Sequence, residues 1–177
     1  RVVLKNVLLN KTRIEAFKVL EKMGARIEFK QIHNDFESVG EICVQSSHLR
    51  AVSVSENISW LIDEAPALAI AFACAEGVSR LTNAKELRVK ESDRISAVVQ
   101  NLQRCGIKAK ELDDGFEIQG GVAKRAKIQS FGDHRIAMSF AILGLKCGMD
   151  IDECECINTS FPNFLSLLES LGAVVEK

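Results

Sequence analysis

Three segments of the chain share one pattern, an apolar stripe followed by a glycine and a short run of strand-forming residues. In residues 12–23, 92–105 and 161–171 the apolar side chains recur every three or four positions. This spacing predicts three helices that each bury one face. The glycines that follow these helices are Gly24, Gly106 and Gly172. They predict C-caps in the left-handed region, where glycine is favoured.

Two further segments, residues 63–76 and 133–147, are apolar on nearly all sides, which predicts helices buried in a layered core. Strand-forming runs supply the rest of the pattern, at residues 2–4, 26–29, 41–44, 80–82, 108–111, 116–118 and 150–154. Asp113-Asp114-Gly115 predicts a hairpin turn. A complete unit is therefore predicted to run βαβαββ, and the repetition favours an α/β or α+β fold built from such units.

The repeats predict a single domain over residues 1–177, with units at about residues 1–50, 51–122 and 123–177. The first unit lacks its opening strand and its buried helix. Residue 1 is Arg and the first Met is at position 23, so we expect this sequence to be a piece of a longer chain. There are two prolines and no linker rich in Pro, Gly or Ser, and no internal domain boundary is predicted.

The composition favours a globular protein, because 47% of the 177 residues are hydrophobic and 27% are charged. The longest apolar run, residues 65–75, is shorter than the roughly 20 residues that span a bilayer. The net charge of −1 gives no reason to expect a nucleic-acid or membrane partner. No export signal opens the chain, which predicts a cytoplasmic protein.

The six cysteines show no CxxC spacing and are interpreted as small buried hydrophobic residues in a reducing compartment. They are Cys43, Cys74, Cys105, Cys147, Cys154 and Cys156. A zinc site made of Cys154, Cys156 and His134 is an alternative, but the spacing matches no common metal pattern. No metal and no cofactor are predicted.

Cations occupy helix starts, where the helix dipole disfavours them by about 0.3–1 kcal/mol each. Lys90 and Arg94 lie at the start of one predicted helix, Arg135 at the start of another and Arg13 at the start of a third. Since helix N-termini themselves bind anions, these positions predict a phosphate or carboxylate ligand. Solvated surface charges are the alternative interpretation for each of them.

Two carboxylates in these regions are candidates for proton transfer. Glu91 lies one helical turn from Arg94, so it forms either a simple ion pair or a carboxylate that takes and returns a proton. Asp63 precedes an apolar helix and is expected either as its N-cap or as a base buried near the end of a layer. Asp133 and His134 are adjacent on a helix and do not face each other, so a hydrolase dyad is not predicted.

The segments LRVKESDRI at 87–95 and GDHRIAM at 132–138 resemble the 5-enolpyruvylshikimate-3-phosphate synthases, also called 3-phosphoshikimate 1-carboxyvinyltransferases. IDEAPA at 62–67 and TSFPNF at 159–164 agree with the same family. The resemblance covers only the C-terminal part of the enzyme. It implies an inverse α/β barrel, or α/β prism, of βαβαββ units, one of two domains that close over the substrates.

The reaction implied by the resemblance transfers the enolpyruvyl group of phosphoenolpyruvate to the 5-hydroxyl of shikimate 3-phosphate and releases phosphate. This step belongs to the shikimate pathway, which leads to chorismate and the aromatic amino acids, and the family is the target of glyphosate. No cofactor is implied. The implied partners are the two substrates and the missing N-terminal part of the same chain, in a monomeric, cytoplasmic transferase.

The resemblance also implies roles for individual residues. Asp63 matches the proton acceptor near the attacking hydroxyl, and Glu91 matches the carboxylate that moves a proton to and from the methylene carbon. Lys90 matches a contact to shikimate 3-phosphate, while Arg94 and Arg135 match cations that hold phosphoenolpyruvate. Planar guanidinium groups suit this ligand because they bind carboxylate or phosphate in pairs of hydrogen bonds.

Two positions depart from the family pattern. Thr159 stands where some members have Lys, and Glu86 stands where some have Asn, so Glu86 is left out of the expected site. The serines and the basic cluster that bind shikimate 3-phosphate belong to the other part of the enzyme, so this piece alone is expected to turn over negligibly. The alternatives are a UDP-N-acetylglucosamine enolpyruvyl transferase relative and a non-catalytic repeat module that binds a protein or RNA.

Overall fold

The computed structural model describes residues 1–34 and 36–176. Positions 35 and 177, which fall in the first and third predicted units, lie outside the described residues. The elements in chain order are β1 Val2–Leu8, α1 Lys11–Lys22, β2 Arg26–Asn34, β3 Ser38–Gln45, β4 Ser53–Val54, α2 Ala65–Ala73, β5 Val78–Leu81, α3 Arg94–Arg104, β6 Lys108–Leu112, β7 Gly115–Gln119, β8 Lys127–Gln129, α4 His134–Cys147, β9 Asp150–Asp152 and α5 Phe164–Ser170. Short 3₁₀ turns lie at Ile58–Trp60, Lys85–Val89 and Cys154–Thr159.

The strands pair in small sheets that follow one another along the chain. β1, β3 and β2 form an antiparallel sheet in that order, and β4, β5, β7 and β6 form a mixed sheet. β4 pairs in parallel with β5, and β8 with β9. The helices α2 and α4 connect these parallel pairs, since two parallel strands need a long crossover. The order β4–α2–β5–α3–β6–β7 is the one predicted for a complete unit.

The central helices α2, α3 and α4 pack together over the mixed sheet and enclose most of the apolar core. Phe72 of α2 and Phe116 of β7 are both fully buried and meet edge to face, with ring centroids 6.4 Å apart. The prediction that α2 is buried is confirmed. The corresponding prediction for α4 is wrong on one side, because Ile142 and Leu145 are 43% and 55% exposed. An apolar sequence does not require burial on every face.

The predicted glycine caps are confirmed, because Gly24, Gly106 and Gly172 all have positive φ angles. The strand predicted after Gly172 is wrong, since residues 173–176 have no regular secondary structure and Val174 is 91% exposed. Strand propensity depends on a neighbouring strand to pack against. Throughout residues 1–34 and 36–176, the helices are too short or too polar to cross a membrane.

The β6–β7 hairpin matters for the site because its turn lies against the segment that precedes α3. Asp113 and Asp114 form the predicted two-residue turn, with Leu112 paired to Gly115. Gly115 lies so close to β5 that a Cβ atom built there would be 1.9 Å from the carbonyl oxygen of Leu81. Only glycine permits this approach of the two strands.

Replacing Gly115 with alanine is therefore expected to lower the free energy of unfolding by about 1–3 kcal/mol, because the backbone of β5 must move to admit the methyl group. Urea unfolding followed by circular dichroism measures the change. Gly121→Ala is the matched control, since a Cβ atom there meets only the Ile107 side chain at 3.5 Å. Equal midpoints for the Gly115 variant and the wild type would show that the strands separate at no cost.

Candidate functional site

A single buried guanidinium joins the starts of three helices. Arg94 is the first residue of α3, and its side chain is 1% exposed. Its Nε atom lies 2.8 Å from Asp133 Oδ2, and its Nη1 atom lies 3.1 Å from Asp63 Oδ1. Its Nη2 atom lies 2.6 Å from Glu91 Oε2. The carboxylates come from the residues just before α2, α3 and α4, so the three N-termini meet at this point.

Local capping fixes the direction of Arg94. The carboxylate of Asp93 is the N-cap of α3 and accepts a hydrogen bond from the Ser96 backbone N–H at 3.0 Å. Since the cap starts the helix at Arg94, the side chain lies in the first turn, beside the other helix starts. The amphipathic stripe of α3 then continues into the core through Val98 and Leu102, which are fully buried.

Asp133 is a second buried member of this cluster, and no role was predicted for it beyond the rejected dyad. It is the N-cap of α4 and accepts hydrogen bonds from the Arg135 backbone N–H at 2.9 Å and the Ser92 hydroxyl at 3.1 Å. Burial acts to raise the pKa of Asp133. Arg94, the Arg135 N–H and the Ser92 hydroxyl outweigh that effect and hold the pKa below its usual value. The signal that could have found Asp133 is a capping aspartate two residues ahead of the helix-start cation Arg135.

A depressed pKa of Asp133 predicts a specific pH dependence of stability. The ionised carboxylate stabilises the fold fully above the unfolded pKa of about 3.9, and that contribution is lost as pH falls through the lower folded value. The difference in unfolding free energy between the wild type and Asp133→Asn is therefore expected to be constant near neutral pH and to shrink below about pH 4. Urea titrations at a series of pH values measure it. A difference that stays constant into strong acid would contradict the expectation.

Beside this cluster lies a polar cleft of about 290 Å³. The residues that line it are Thr12, Arg13, Ser59, Trp60, Ile62, Asp63, Glu64, Glu86, Lys90 and Arg135. Arg135 Nη1 donates to the Asp63 carbonyl oxygen at 2.8 Å, and its Nη2 lies 3.4 Å from Asp63 Oδ2. The Lys90 ammonium lies 2.6 Å from Glu86 Oε1. The lining therefore contains three cations and three carboxylates.

The equal number of cations and carboxylates corrects the prediction that the helix-start cations need an external anion. Arg94 and Arg135 already have anionic partners within the chain, so their positions alone do not demand an external ligand. The charge of Arg94 is compensated by the nearby Glu91 and by Asp63 and Asp133, which lie 31 and 39 residues away in the sequence. An incoming anion has to replace one of those carboxylates as a partner of the guanidinium groups, or to bind together with a proton.

The structure brings all five predicted site residues to one region. Asp63 and Glu91 each contact Arg94, Arg135 bonds to Asp63, and Lys90 lines the cleft beside them. Asp63 is not the N-cap of α2, because Glu64 occupies that position, and it is not buried, because its side chain is 51% exposed.

Glu86, which was left out of the expected site because some family members have Asn there, also lines the cleft, and its carboxylate pairs with the Lys90 ammonium. Lys90 thus pairs with the carboxylate four residues before it, although the sequence placed it beside Glu91. A pair at this spacing is common in helical turns. Thr159 lies at the end of the last 3₁₀ turn and is not part of the lining.

The remaining candidates lie elsewhere. All six cysteines are free thiols; Cys43 and Cys105 are buried, and burial raises the pKa of Cys105 to about 11. The prediction of burial is wrong for the other four, which are half-buried. Within the part of the chain that the structure describes, no three His, Cys, Asp or Glu side chains form a group that could hold a metal ion. A groove of about 910 Å³ between α4 and residues 171–176 contains none of the predicted site residues.

Comparison with known proteins places this geometry in a family. The family model of EPSP synthase (3-phosphoshikimate 1-carboxyvinyltransferase) matches residues 1–168. The chain belongs to the EPSP synthase family. The match includes every residue of the cluster and of the cleft, so the resemblance of the KESDR and GDHR segments is confirmed.

Curated EPSP synthase relatives are similar along nearly the whole chain. The 3-phosphoshikimate 1-carboxyvinyltransferase of Campylobacter jejuni strain 81-176 is 64% identical over 177 residues, which are 99% of this chain and 41% of the relative. The protein of the same name from Campylobacter curvus is 66% identical over 175 residues, with the same coverage. The chain thus spans less than half the length of the curated relatives it matches.

Solved structures of the family share the fold. The EPSP synthase of Acinetobacter baumannii superimposes with a TM-score of 0.94 at 37% identity, over 99% of this chain and 42% of that one. The enolpyruvyl transferase NikO of Streptomyces tendae matches 93% of this chain and 36% of its own, with a TM-score of 0.69 and 18% identity, which shows likeness of fold alone. The fold of the chain is accordingly the mixed α/β fold of EPSP synthases.

Proposed function

We propose that the protein containing this chain transfers the enolpyruvyl group of phosphoenolpyruvate to the 5-hydroxyl of shikimate 3-phosphate and releases phosphate. The observation that carries the proposal is the contact of two carboxylates, Asp63 and Glu91, with the guanidinium of Arg94 beside a cleft lined by Arg135 and Lys90. This arrangement supplies two proton carriers and several cations within one site. An addition to a double bond of an anionic substrate, followed by an elimination, needs both.

In the addition step, the 5-hydroxyl oxygen bonds to C2 of phosphoenolpyruvate and gives its proton to Asp63. Glu91 takes up a proton when the anionic phosphoenolpyruvate binds beside it, and as a neutral acid it gives that proton to C3, which turns the methylene group into a methyl group. The product is a tetrahedral intermediate that carries both the shikimate oxygen and the phosphate on C2. Asp63 and Glu91 suit this division because they contact different nitrogens of Arg94 and are each about half exposed, at 51% and 49%.

In the elimination step, the bond between C2 and the phosphate oxygen breaks and phosphate leaves with a proton from Asp63. C3 returns a proton to Glu91, which restores the double bond and both carboxyl groups to their starting states. Arg94 compensates the changing charge of the two carboxyl groups throughout, since it contacts both. A fixed guanidinium in a buried position needs little reorganisation as charge moves.

The cations divide between the two substrates in this proposal. Arg94 and Arg135 hold the carboxylate and phosphate of phosphoenolpyruvate, with the ligand taking over the bond that Asp63 makes to Arg135 in the free chain. Lys90 binds on the side of shikimate 3-phosphate, away from its present partner Glu86. Asp133 stays bound to Arg94 and keeps that guanidinium charged and oriented.

We also propose the architecture of the whole protein, its oligomeric state and its location in the cell. The repeated βαβαββ order supports an inverse α/β barrel, with residues 1–177 as one domain of a two-domain enzyme. The other substrate-binding groups then come from the missing N-terminal part of the chain, and the protein acts as a cytoplasmic monomer. Isolated residues 1–177 are expected to bind both substrates weakly.

Phosphate release from phosphoenolpyruvate plus shikimate 3-phosphate by the full-length protein tests the function. Arg135→Ala is expected to raise the KM for phosphoenolpyruvate and to lower kcat/KM by about 10²-fold, because a charge-assisted pair of hydrogen bonds is lost. Arg125→Ala, which removes an exposed arginine bonded to Asp150, serves as the control. An inactive full-length protein, or an Arg135 variant with wild-type kinetics, would refute the proposal.

A further inference from the structure

Arg88 makes an unusually complete set of contacts for a side chain outside the cleft. Its Nε donates to the Asp113 carbonyl oxygen at 2.9 Å, and its Nη2 donates to the Leu112 carbonyl oxygen at 2.6 Å. Its Nη1 lies 2.8 Å from Asp93 Oδ2 and 3.2 Å from Glu111 Oε2. All three guanidinium nitrogens are therefore engaged, and the side chain is 27% exposed.

These contacts join the two ends of a short loop. Arg88 and Asp93 lie on either side of residues 89–92, and the bond between their side chains joins the two ends of that segment. The segment carries Lys90 and Glu91, two of the proposed site residues. Glu91 is 49% exposed and its carboxylate accepts a bond from Arg94 Nη2 at 2.6 Å, so its backbone position depends on how the ends of the loop are held.

The β6–β7 turn also anchors the chain ahead of this loop, at residues 83 and 84. The Asp114 carboxylate accepts a hydrogen bond from the Asn83 backbone N–H at 2.7 Å, and the Asp114 carbonyl accepts one from the Ala84 N–H at 2.7 Å. Residues 83–93 are thus tied to one hairpin, at the start through Asp114 and in the middle through Arg88, whose side chain also bonds to Asp93 at the end. Such support decides how accurately a site residue is placed.

We propose that Arg88 is a positioning residue for the proton transfer, acting through Glu91 by fixing residues 89–92 against the β6–β7 turn. The proposal rests on the function proposed above. Arg88 itself lies outside the cleft lining and touches no substrate in this scheme. A planar fork suits the task because its donors point in fixed directions, whereas the lysine ammonium is a single point of charge.

The test measures kcat and both KM values of the full-length protein with Arg88→Gln and Arg88→Lys, alone and combined with Glu91→Gln. Arg88→Gln is expected to lower kcat by up to about 10²-fold. Without the Arg88 contacts the loop shifts, and the Glu91 carboxylate no longer lies at the right distance from the carbon with which it exchanges a proton. The KM for phosphoenolpyruvate should change less than about 3-fold, whereas the KM for shikimate 3-phosphate should rise because the same loop carries Lys90. The kcat of Arg88→Lys should lie between those of the wild type and Arg88→Gln. In the Glu91→Gln background the loss should nearly disappear, since the residue acted upon is already inactive.

The control is Arg80→Gln, which removes an arginine bonded to Glu117 on the same mixed sheet and should leave kcat unchanged. The same fold-loss of kcat from Arg88→Gln in both backgrounds would indicate a merely structural role and overturn the inference. If Arg88→Gln does not fold, Arg88→Lys decides, and wild-type kcat in that variant overturns it. A wild-type protein that releases no phosphate overturns the proposed function and this inference together, whereas an active wild type with fully active variants overturns the inference alone.

Discussion

Replacing Glu91 with glutamine is expected to lower the kcat for phosphate release by about 10²–10⁴-fold, because an amide cannot exchange a proton with the methylene carbon of phosphoenolpyruvate. The structural change is small. The glutamine carbonyl oxygen can still accept the hydrogen bond that Arg94 Nη2 donates to Glu91 at 2.6 Å. KM is therefore expected to stay near its wild-type value, and the loss reports proton transfer rather than binding.

Deuterium incorporation gives this prediction a second readout. In deuterated water the wild type should place deuterium in the methylene group of the product, because C3 gains and then loses a proton, and Glu91→Gln should not. Glu117→Gln, a substitution of a half-buried carboxylate paired with Arg80, is the matched control and should behave as the wild type. A Glu91 variant that keeps wild-type kcat and deuterium incorporation would remove this residue from the mechanism.

Replacing Arg94 with methionine is expected to lower the free energy of unfolding by about 3–5 kcal/mol, which is the usual cost of removing one partner from a buried ion pair. The reason is Asp133, which is fully buried and would lose the cation that bonds to both of its oxygens. The methionine side chain has a similar length and keeps much of the packing. The loss of unfolding free energy therefore reports the cost of leaving the Asp133 carboxylate buried without its cation. Urea unfolding followed by circular dichroism gives the difference.

A second substitution separates charge from packing at this position. Adding Asp133→Asn to Arg94→Met removes the stranded charge and should recover part of the lost stability. The control is Arg125→Met, whose ion pair with Asp150 is exposed to solvent, and its unfolding midpoint is expected to match that of the wild type. An Arg94 variant as stable as the control would contradict the buried cluster.

Much of the fold could be predicted because it is local. The apolar stripe of α3 and the glycine that follows it are both visible in a dozen residues of sequence, and Gly106 has the predicted positive φ. The strands β4 and β8 have two and three residues, too few to show an alternating pattern. Val174 has strand composition, but no described strand lies beside it to receive its hydrogen bonds.

The site was less predictable because its contacts are distant in sequence. Asp63 and Asp133 reach Arg94 from 31 and 39 residues away, and no local spacing records these pairs. The sequence therefore showed Glu91 as the local partner of Arg94 and could not show that two distant carboxylates compensate the same cation. The same limit hid Asp133, whose capping role is local but whose partners Arg94 and Ser92 are not.

A crystal structure of the full-length protein with phosphoenolpyruvate and shikimate 3-phosphate tests most directly whether the joined helix starts around Arg94 form the substrate site. We expect ligand carboxylate or phosphate oxygens within hydrogen-bond distance of the Arg135 guanidinium, and the Glu91 carboxyl group beside the methylene carbon. Both substrates bound away from Asp63, Glu91 and Arg135 would contradict it, whatever the activity of the protein.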